Sequence, residues 1–424
     1  MTNPKSSQSP KSSKSTKTQS AAATGWSPIE GGVTAPEGYL AAGVAAGVKA
    51  KGLDLAVVFS SQPASAAGVF TQNRVKAAPV LLSRDNLKLS RGRARAILIN
   101  SGCANACTGE RGKKDSLLST QTLASRLNVD AEQVLVASTG AIGYFLPMPK
   151  LLKGIASAAS ALNSKGGLAA AHAIMTTDTC EKIVAFEGKI DGKTVRIGGM
   201  AKGSGMIHPN MATMLGIITT DVKIAPRELQ KILRRVSERT FNCLTVDGDT
   251  STNDTVFVLA NGASGAVAAD SRSLLAFEKG LNLVCEALVK AIARDGEGAT
   301  KFVEIVVKRA TDFESARTVA KAIAHSPLVK TALFGQELNW GRILCAVGYS
   351  KIPFDPDEVT LSLNGIPIFR KGAPVSTTRD KAEKAIQEHD LKIEVDLAEG
   401  KECATVWTCD LSHEYVNINA SYIS

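Results

Sequence analysis

Lys202-Gly203-Ser204-Gly205-Met206-Ile207-His208-Pro209-Asn210-Met211-Ala212-Thr213-Met214-Leu215-Gly216 joins a glycine-rich polar loop to an apolar run, and the rest of the chain is best read outward from it. Ala212, a small residue, precedes a threonine whose hydroxyl can attack the preceding peptide carbonyl. Such a threonine can cut its own chain. The cut frees an α-amino group beside the same hydroxyl, a nucleophile that carries its own base. Gly203, Ser204 and Gly205 make the loop pliable, Pro209 and Asn210 favour a turn, and Leu215 onward is apolar enough to hold a cut end in a core. Residue type alone leaves a plainer alternative, in which Thr213 simply begins a strand. Lys202 is either a solvated charge or, from the start of the same loop, the holder of a substrate carboxylate.

Around this segment the pattern is mixed α/β. Val195–Gly199 and Ile217–Asp221 read as strands flanking the loop, and Leu55–Phe59, Ala96–Asn100 and Val134–Ser138 as short buried strands. Helices are expected at Lys114–Leu127, Pro149–Leu162, Gly167–Met175, Arg227–Arg239 and Ser271–Arg294. In the last of these, Leu274, Phe277, Leu281, Cys285, Leu288 and Ile292 form one apolar stripe at steps of three or four. Thr255–Ala260, Phe302–Val307, Leu391–Leu397 and Ala404–Thr408 read as further strands, and Asn364-Gly365 marks a hairpin between Val359–Leu363 and Ile366–Arg370. The regular βα alternation of a doubly wound parallel fold is missing, as is any repeat.

A chain of 424 residues fits two large lobes rather than one small core. No apolar run approaches the length of a membrane span, so a soluble protein with no membrane partner is expected. The net charge of +10 comes partly from Lys5, Lys11, Lys14 and Lys17 in an acid-free tail, residues 1–24, whose Ser/Thr/Lys/Gln composition predicts disorder. Elsewhere basic and acidic residues intermingle without an aromatic-interleaved stripe, which argues against a nucleic-acid partner and leaves room for a basic pocket for small acidic substrates. The eight cysteines are too dispersed for a disulfide scaffold and read as reduced thiols of a cytoplasm-like compartment. The tail has no secretory h-region. It resembles an organelle transit peptide in lacking acids but not in its lack of arginine, so a stroma or matrix address is the alternative to cytoplasm.

Other stretches carry candidate chemistry. Ser138-Thr139-Gly140 follows an apolar run with small residues, as either an oxyanion hole or an ordinary strand-to-helix turn. Met175-Thr176-Thr177-Asp178-Thr179 is a helix cap or a polar pocket wall in which Thr176 meets substrate. Asp295-Gly296-Glu297-Gly298 closes the long helix, and Glu297 there belongs to a plain helix stop, binds a substrate ammonium or aids proton transfer. Thr245–Thr255 invites a calcium reading but lacks the glycine and glutamate of an EF-hand loop, so it reads as a hydrogen-bonded turn near the site, with no metal. The five histidines have no metal or triad spacing, and no Gly-x-Ser-x-Gly, Walker or Rossmann motif is present.

Lys202 to Asp221 resembles the self-processing segment of the ornithine acetyltransferase family, the bifunctional glutamate N-acetyltransferases of arginine biosynthesis. Matching blocks run in order along the chain: Gly31–Pro36, Asn100-Ser101-Gly102, Ala104-Asn105-Ala106, Ser138–Gly143, Thr176–Thr179, Asp247–Thr255, Asn339-Trp340-Gly341-Arg342 and Tyr415–Ala420. The resemblance implies cleavage between Ala212 and Thr213, into an α chain over 25–212 and a β chain over 213–424. Thr213 would be the nucleophile, Thr139 and Gly140 the oxyanion hole, and Thr176, Lys202, Thr213, Glu297, Asn419 and Ser424 the substrate contacts. Ser424 departs from the family's usual threonine but keeps a hydroxyl. The implied reaction moves an acetyl group from N-acetylornithine to glutamate, and no resident cofactor is implied. Acetyl-CoA as a second donor rests on the same likeness, since no phosphate cradle stands out. The implied fold is an α/β sandwich of mainly antiparallel sheets flanked by helices, of N-terminal-nucleophile-like architecture, assembled as an (αβ)₂ heterotetramer. The rival enzyme reading is an aminopeptidase or amidase that passes the acyl group to water. A rival of another class is a binding protein that works through its Lys-rich tail.

Overall fold

The computed structural model describes residues 25–208 and 214–421; residues 1–24, 209–213 and 422–424 lie outside the described residues, and with them Ala212, Thr213 and Ser424. The first two-thirds of the chain runs β1 (Trp26–Ile29), β2 (Tyr39–Val44), β3 (Leu55–Phe70), α1 (Ala78–Leu89), β4 (Arg93–Cys103), α2 (Gly109–Leu127), β5 (Val134–Ala141), α3 (Met148–Ser160), α4 (Gly167–Ile174), β6 (Lys182–Ile190), β7 (Lys193–Lys202), β8 (Leu215–Thr220), β9 (Lys223–Ile224), α5 (Pro226–Arg239), β10 (Thr255–Ala260), β11 (Val267–Ala268) and α6 (Ser271–Arg294). The remainder is β12 (Phe302–Ala310), α7 (Phe313–His325), α8 (Pro327–Phe334), α9 (Trp340–Gly348), β13 (Thr360–Leu363), β14 (Ile366–Arg370), β15 (Ala373–Pro374), α10 (Arg379–Ala385), β16 (Asp390–Asp396), β17 (Glu402–Cys409) and α11 (His413–Ser421).

Nine strands form one sheet in the order β1-β6-β7-β8-β10-β3-β4-β5, with β2 also on β3; six form a second, β15-β14-β13-β16-β12-β17. Most pairs are antiparallel, as expected; β8–β10, β4–β5, β12–β16 and the short β9–β11 ladder are parallel. The strands β3, β4 and β5 are apolar without a break because both faces are covered. Val58, Ile97, Ile99, Leu135 and Ala137 face a core that includes α4, while Val57, Leu98, Val134 and Val136 face one with Leu123 of α2 and Ile155 of α3. Asp270 caps α6 by accepting from the N–H groups of Arg272 and Ser273, and the predicted stripe from Phe277 to Ile292 is buried against the largest core. Among the described residues no helix is long and apolar enough to cross a membrane.

Three differences from the sequence reading matter for the site. Strand β5 continues through Ala141, so Thr139 and Gly140 belong to a strand end, opposite Ser101 and Gly102, rather than to a strand-to-helix turn. Helix α4 stops at Ile174, which leaves Thr176 beyond its cap. Strand β7 runs to Lys202, making that residue the last of a strand and the cross-strand partner of Leu215. The excursion between Lys202 and Leu215 therefore returns to where it began. Because β7 lies before Thr213 and β8 after it, a cut there leaves both pieces in the same sheet.

Candidate active site

Thr139, Gly140, Thr176, Lys202, Glu297 and Asn419 line one cavity, and Met214, Leu215 and Asn253 are also in its wall. All the described residues that the sequence singled out for catalysis or substrate contact are thus brought together.

The Thr139–Gly140 side is built from backbone. The β4–β5 ladder shifts register where Gly102 and Cys103 meet Thr139–Ala141, and a bulge of this kind leaves a residue without a ladder partner. Gly140 has φ +123°, and a Cβ there would lie 2.4 Å from the Gly102 carbonyl carbon, so only glycine lets the two strands approach. Asn253 fixes this end: its amide donates to the Ala104 carbonyl at 2.6 Å and the Ser138 carbonyl at 2.9 Å.

The opposite wall is ionic. Lys202 is buried, its ammonium 3.8 Å from Asp178, and among the described residues it meets no hydrogen-bond acceptor. Asp178 accepts from Lys182 Nζ at 2.7 Å, from the Gly203 N–H at 2.7 Å and from the Thr176 N–H at 2.9 Å. One carboxylate thereby sets Thr176, Lys202 and the start of the loop. Burial alone would raise the Asp178 carboxyl, but Lys202 and Lys182 more than offset it and hold the group well below the usual carboxylate range. Lys182, fully enclosed, reaches Asp295 on its other side, and the two carboxylates outweigh burial to raise its ammonium. Asp295 also accepts from the Thr179 N–H at 3.0 Å. The turn after α6 is thus tied to the turn after α4.

Glu297 follows in that turn. Its carboxylate accepts from Asn419 Nδ2 at 2.8 Å, and its N–H donates to the Ser204 carbonyl at 3.1 Å. A Cβ on Gly205 would sit 2.2 Å from Glu297 Oε2, so that glycine admits the carboxylate to the cavity. Asn419 arrives on α11, anchored where Ser412 Oγ donates to the Gly298 carbonyl at 2.5 Å. The C-terminal helix therefore reaches the site, as the family likeness implied.

Sequence reasoning gave no role to Asp178, Lys182, Asp295 or Asn253. Lys49 was also passed over. Its ammonium donates to the Met175 carbonyl at 3.0 Å and is lowered, first by burial and also by Lys202, while Asp54 and Asp178 oppose the shift. The only sign in the sequence was Asp178 two residues after Thr176, the spacing of a side chain that turns back to its own backbone. No group of three or more His, Cys, Asp or Glu among the described residues is placed to hold a metal ion.

Lys202, whose ammonium meets no hydrogen-bond acceptor among the described residues, the buried Glu297 and the strand-end residues Thr139 and Gly140 thus face one cavity. The chain belongs to the ArgJ family, which it matches over residues 40–424, and it is an enzyme of arginine biosynthesis, of the acetyltransferase kind that its sequence blocks implied. It is 48% identical over 398 residues to the arginine biosynthesis bifunctional protein ArgJ of Parasynechococcus marenigrum, covering 94% of this chain and 96% of that one. The corresponding protein of Symbiobacterium thermophilum is 49% identical over 399 residues, covering 93% and 99%. Among solved structures, a chain of Mycobacterium tuberculosis ornithine acetyltransferase, complexed with ornithine, is 47% identical, covering 44% of this chain and all of that one, with a TM-score of 0.41.

Proposed function

We propose that the chain cuts itself between Ala212 and Thr213 and that the freed Thr213 carries acetyl groups from N-acetylornithine to glutamate. The observation that supports this most is convergence. Six residues spread from Thr139 to Asn419 line one cavity beside Met214, the residue bonded to Thr213.

In the first event the Thr213 hydroxyl oxygen attacks the Ala212 carbonyl carbon. The C–N bond breaks, the hydroxyl proton passes to the departing nitrogen, and water hydrolyses the resulting ester to leave an Ala212 carboxylate and a free Thr213 amine. In turnover the Thr213 amine takes the hydroxyl proton as the oxygen attacks the acetyl carbonyl of N-acetylornithine. Thr139 and Gly140 stabilise the tetrahedral oxyanion, the amine returns the proton to the leaving nitrogen, and ornithine departs. The glutamate amine then attacks the acetyl-threonine ester and restores the hydroxyl. Lys202 receives the α-carboxylate that donor and acceptor share, so one pocket serves both in turn. Glu297, steadied by Asn419, receives the side-chain ammonium of ornithine, and Thr176 and Ser424 complete the contacts. Acetyl-CoA serves as a second donor, the two chains stay together as an (αβ)₂ assembly, and the compartment is the cytoplasm.

The test is transfer of labelled acetyl from N-acetylornithine to added glutamate by the purified protein. Labelled N-acetylglutamate is expected. Release of the label as acetate alone would replace this reading with the amidase one.

A further inference from the structure

The stretch Thr245–Thr255, whose Asn253 also steadies the Thr139–Gly140 end, holds both flanks of residues 209–213. Upstream, the Asp247 carboxylate accepts from the Met206 N–H at 2.7 Å and the Ile207 N–H at 2.8 Å. The Val246 N–H donates to the Ile207 carbonyl at 2.7 Å, and Thr250 Oγ1 donates to the His208 carbonyl at 3.0 Å. Downstream, the Thr255 N–H donates to the Met214 carbonyl at 3.0 Å, and Thr255 is the ladder partner of Leu215. Two consecutive N–H groups on one half-buried carboxylate make a charge-assisted grip firmer than a single turn bond. One continuous stretch of backbone thus fixes where the chain leaves Ile207 and where it resumes at Met214.

We infer that Thr245–Thr255 is the fixture that sets the geometry of the self-cleavage and keeps both new ends in place afterwards, with Asp247 as its principal positioning residue. The inference rests on the self-cleavage proposed above. A peptide-to-ester shift requires the threonine oxygen to meet the carbonyl of its own preceding residue at a productive angle. A chain pinned on both sides to one support has fewer ways to miss it. Once the bond is cut, covalent continuity is gone. The Asp247, Val246 and Thr250 bonds then keep Gly205 and Met206 in the cavity wall, while the β8–β10 ladder keeps Met214 there.

The experiment follows the full-length precursor by intact mass from the moment of synthesis, for wild type, Asp247→Asn, Thr250→Val and Thr250→Ser, with a melting transition recorded for each. Asp247→Asn keeps the size and loses the charge, and conversion to two fragments is expected to slow at least tenfold. Thr250→Val removes one hydroxyl and should slow conversion several-fold, whereas Thr250→Ser should return it to within twofold of wild type. That rescue separates positioning by the hydroxyl from loss of packing, and the Thr250 pair decides the matter if Asp247→Asn does not fold. Folded Asp247→Asn and Thr250→Val proteins that convert at the wild-type rate would overturn the inference while leaving self-cleavage standing. A wild-type chain that never converts would overturn both.

Discussion

Two polar clusters, one buried and one half-buried, flank the segment that contains Thr213, and they are built on opposite principles. Before the segment, Lys202, Asp178, Lys182 and Asp295 alternate in sign, and each cation lies within 4 Å of a carboxylate. At its edge, His208 Nδ1 and His325 Nε2 lie 2.8 Å apart, with Thr245 Oγ1 at 3.1 Å from the latter. Burial, His325 and Lys321 push His208 down to about 3; burial, Lys321 and Lys330 push His325 down to about 4. Both clusters are desolvated, so the sign of the neighbours decides which keeps its charge. The first cluster presents a fixed positive charge to the cavity. The second remains neutral at pH 7.

Removing the charge from the first cluster should have the largest effect. Lys202→Met is expected to lower kcat/KM for acetyl transfer about 100-fold, the weight of a charge-assisted contact made in a desolvated site, most of it as a higher KM for amino-acid substrates. A change below threefold would place the substrate carboxylate elsewhere. Asp178→Asn should come next. It leaves Lys202 without its carboxylate and Lys182 with Asp295 alone, and breaking a buried ion pair costs about 3 kcal/mol. Urea unfolding and KM should both move; a stability change with KM intact would reduce Asp178 to a packing role.

The neutral cluster predicts a pH effect of the opposite kind. Both imidazoles titrate lower in the folded chain than the ordinary histidine near 6.5, so the unfolded chain binds more protons between those values. Their contribution to stability is present above about pH 6.5. It is lost progressively as pH falls toward 4, while Asp178, held low by its lysines, keeps its charge over that window. His325→Gln is expected to cost about 1 kcal/mol at neutral pH through the lost ring–ring bond, and to flatten this acid limb. Chemical denaturation at pH 7.5 and pH 5 measures both. An acid limb of unchanged slope in the variant would assign it to other groups.

The contrast also shows what the sequence could disclose. Lys202, Glu297 and Thr176 stood out because they lie in short polar stretches beside strong strand or helix patterns, and the family likeness gave them roles. Asp178 and Lys182 acquire meaning only when the turn after α4 meets the end of α6, a contact between residues 113 apart along the chain in the case of Lys182 and Asp295. The His208–His325 pair, 117 residues apart, is equally invisible to spacing rules. In the fold, Leu55–Phe59 was read as a short strand because Ser60–Ser65 breaks the apolar run, yet β3 extends over sixteen residues. Its second half is held by β10, a partner that lies far along the chain. Helices α7 and α8, of thirteen and eight residues, escaped notice, whereas α6 carries its apolar stripe over twenty-four residues and was plain.

The central claim is that Thr213 becomes a chain terminus, and the denatured intact mass of the purified protein, beside Thr213→Ala, tests it most directly. The account predicts two wild-type fragments that join at Ala212 and Thr213, and a single uncut chain in the variant. A wild-type protein that remains one chain near 44.4 kDa would contradict it, since the free amine that the mechanism uses as its base would not exist.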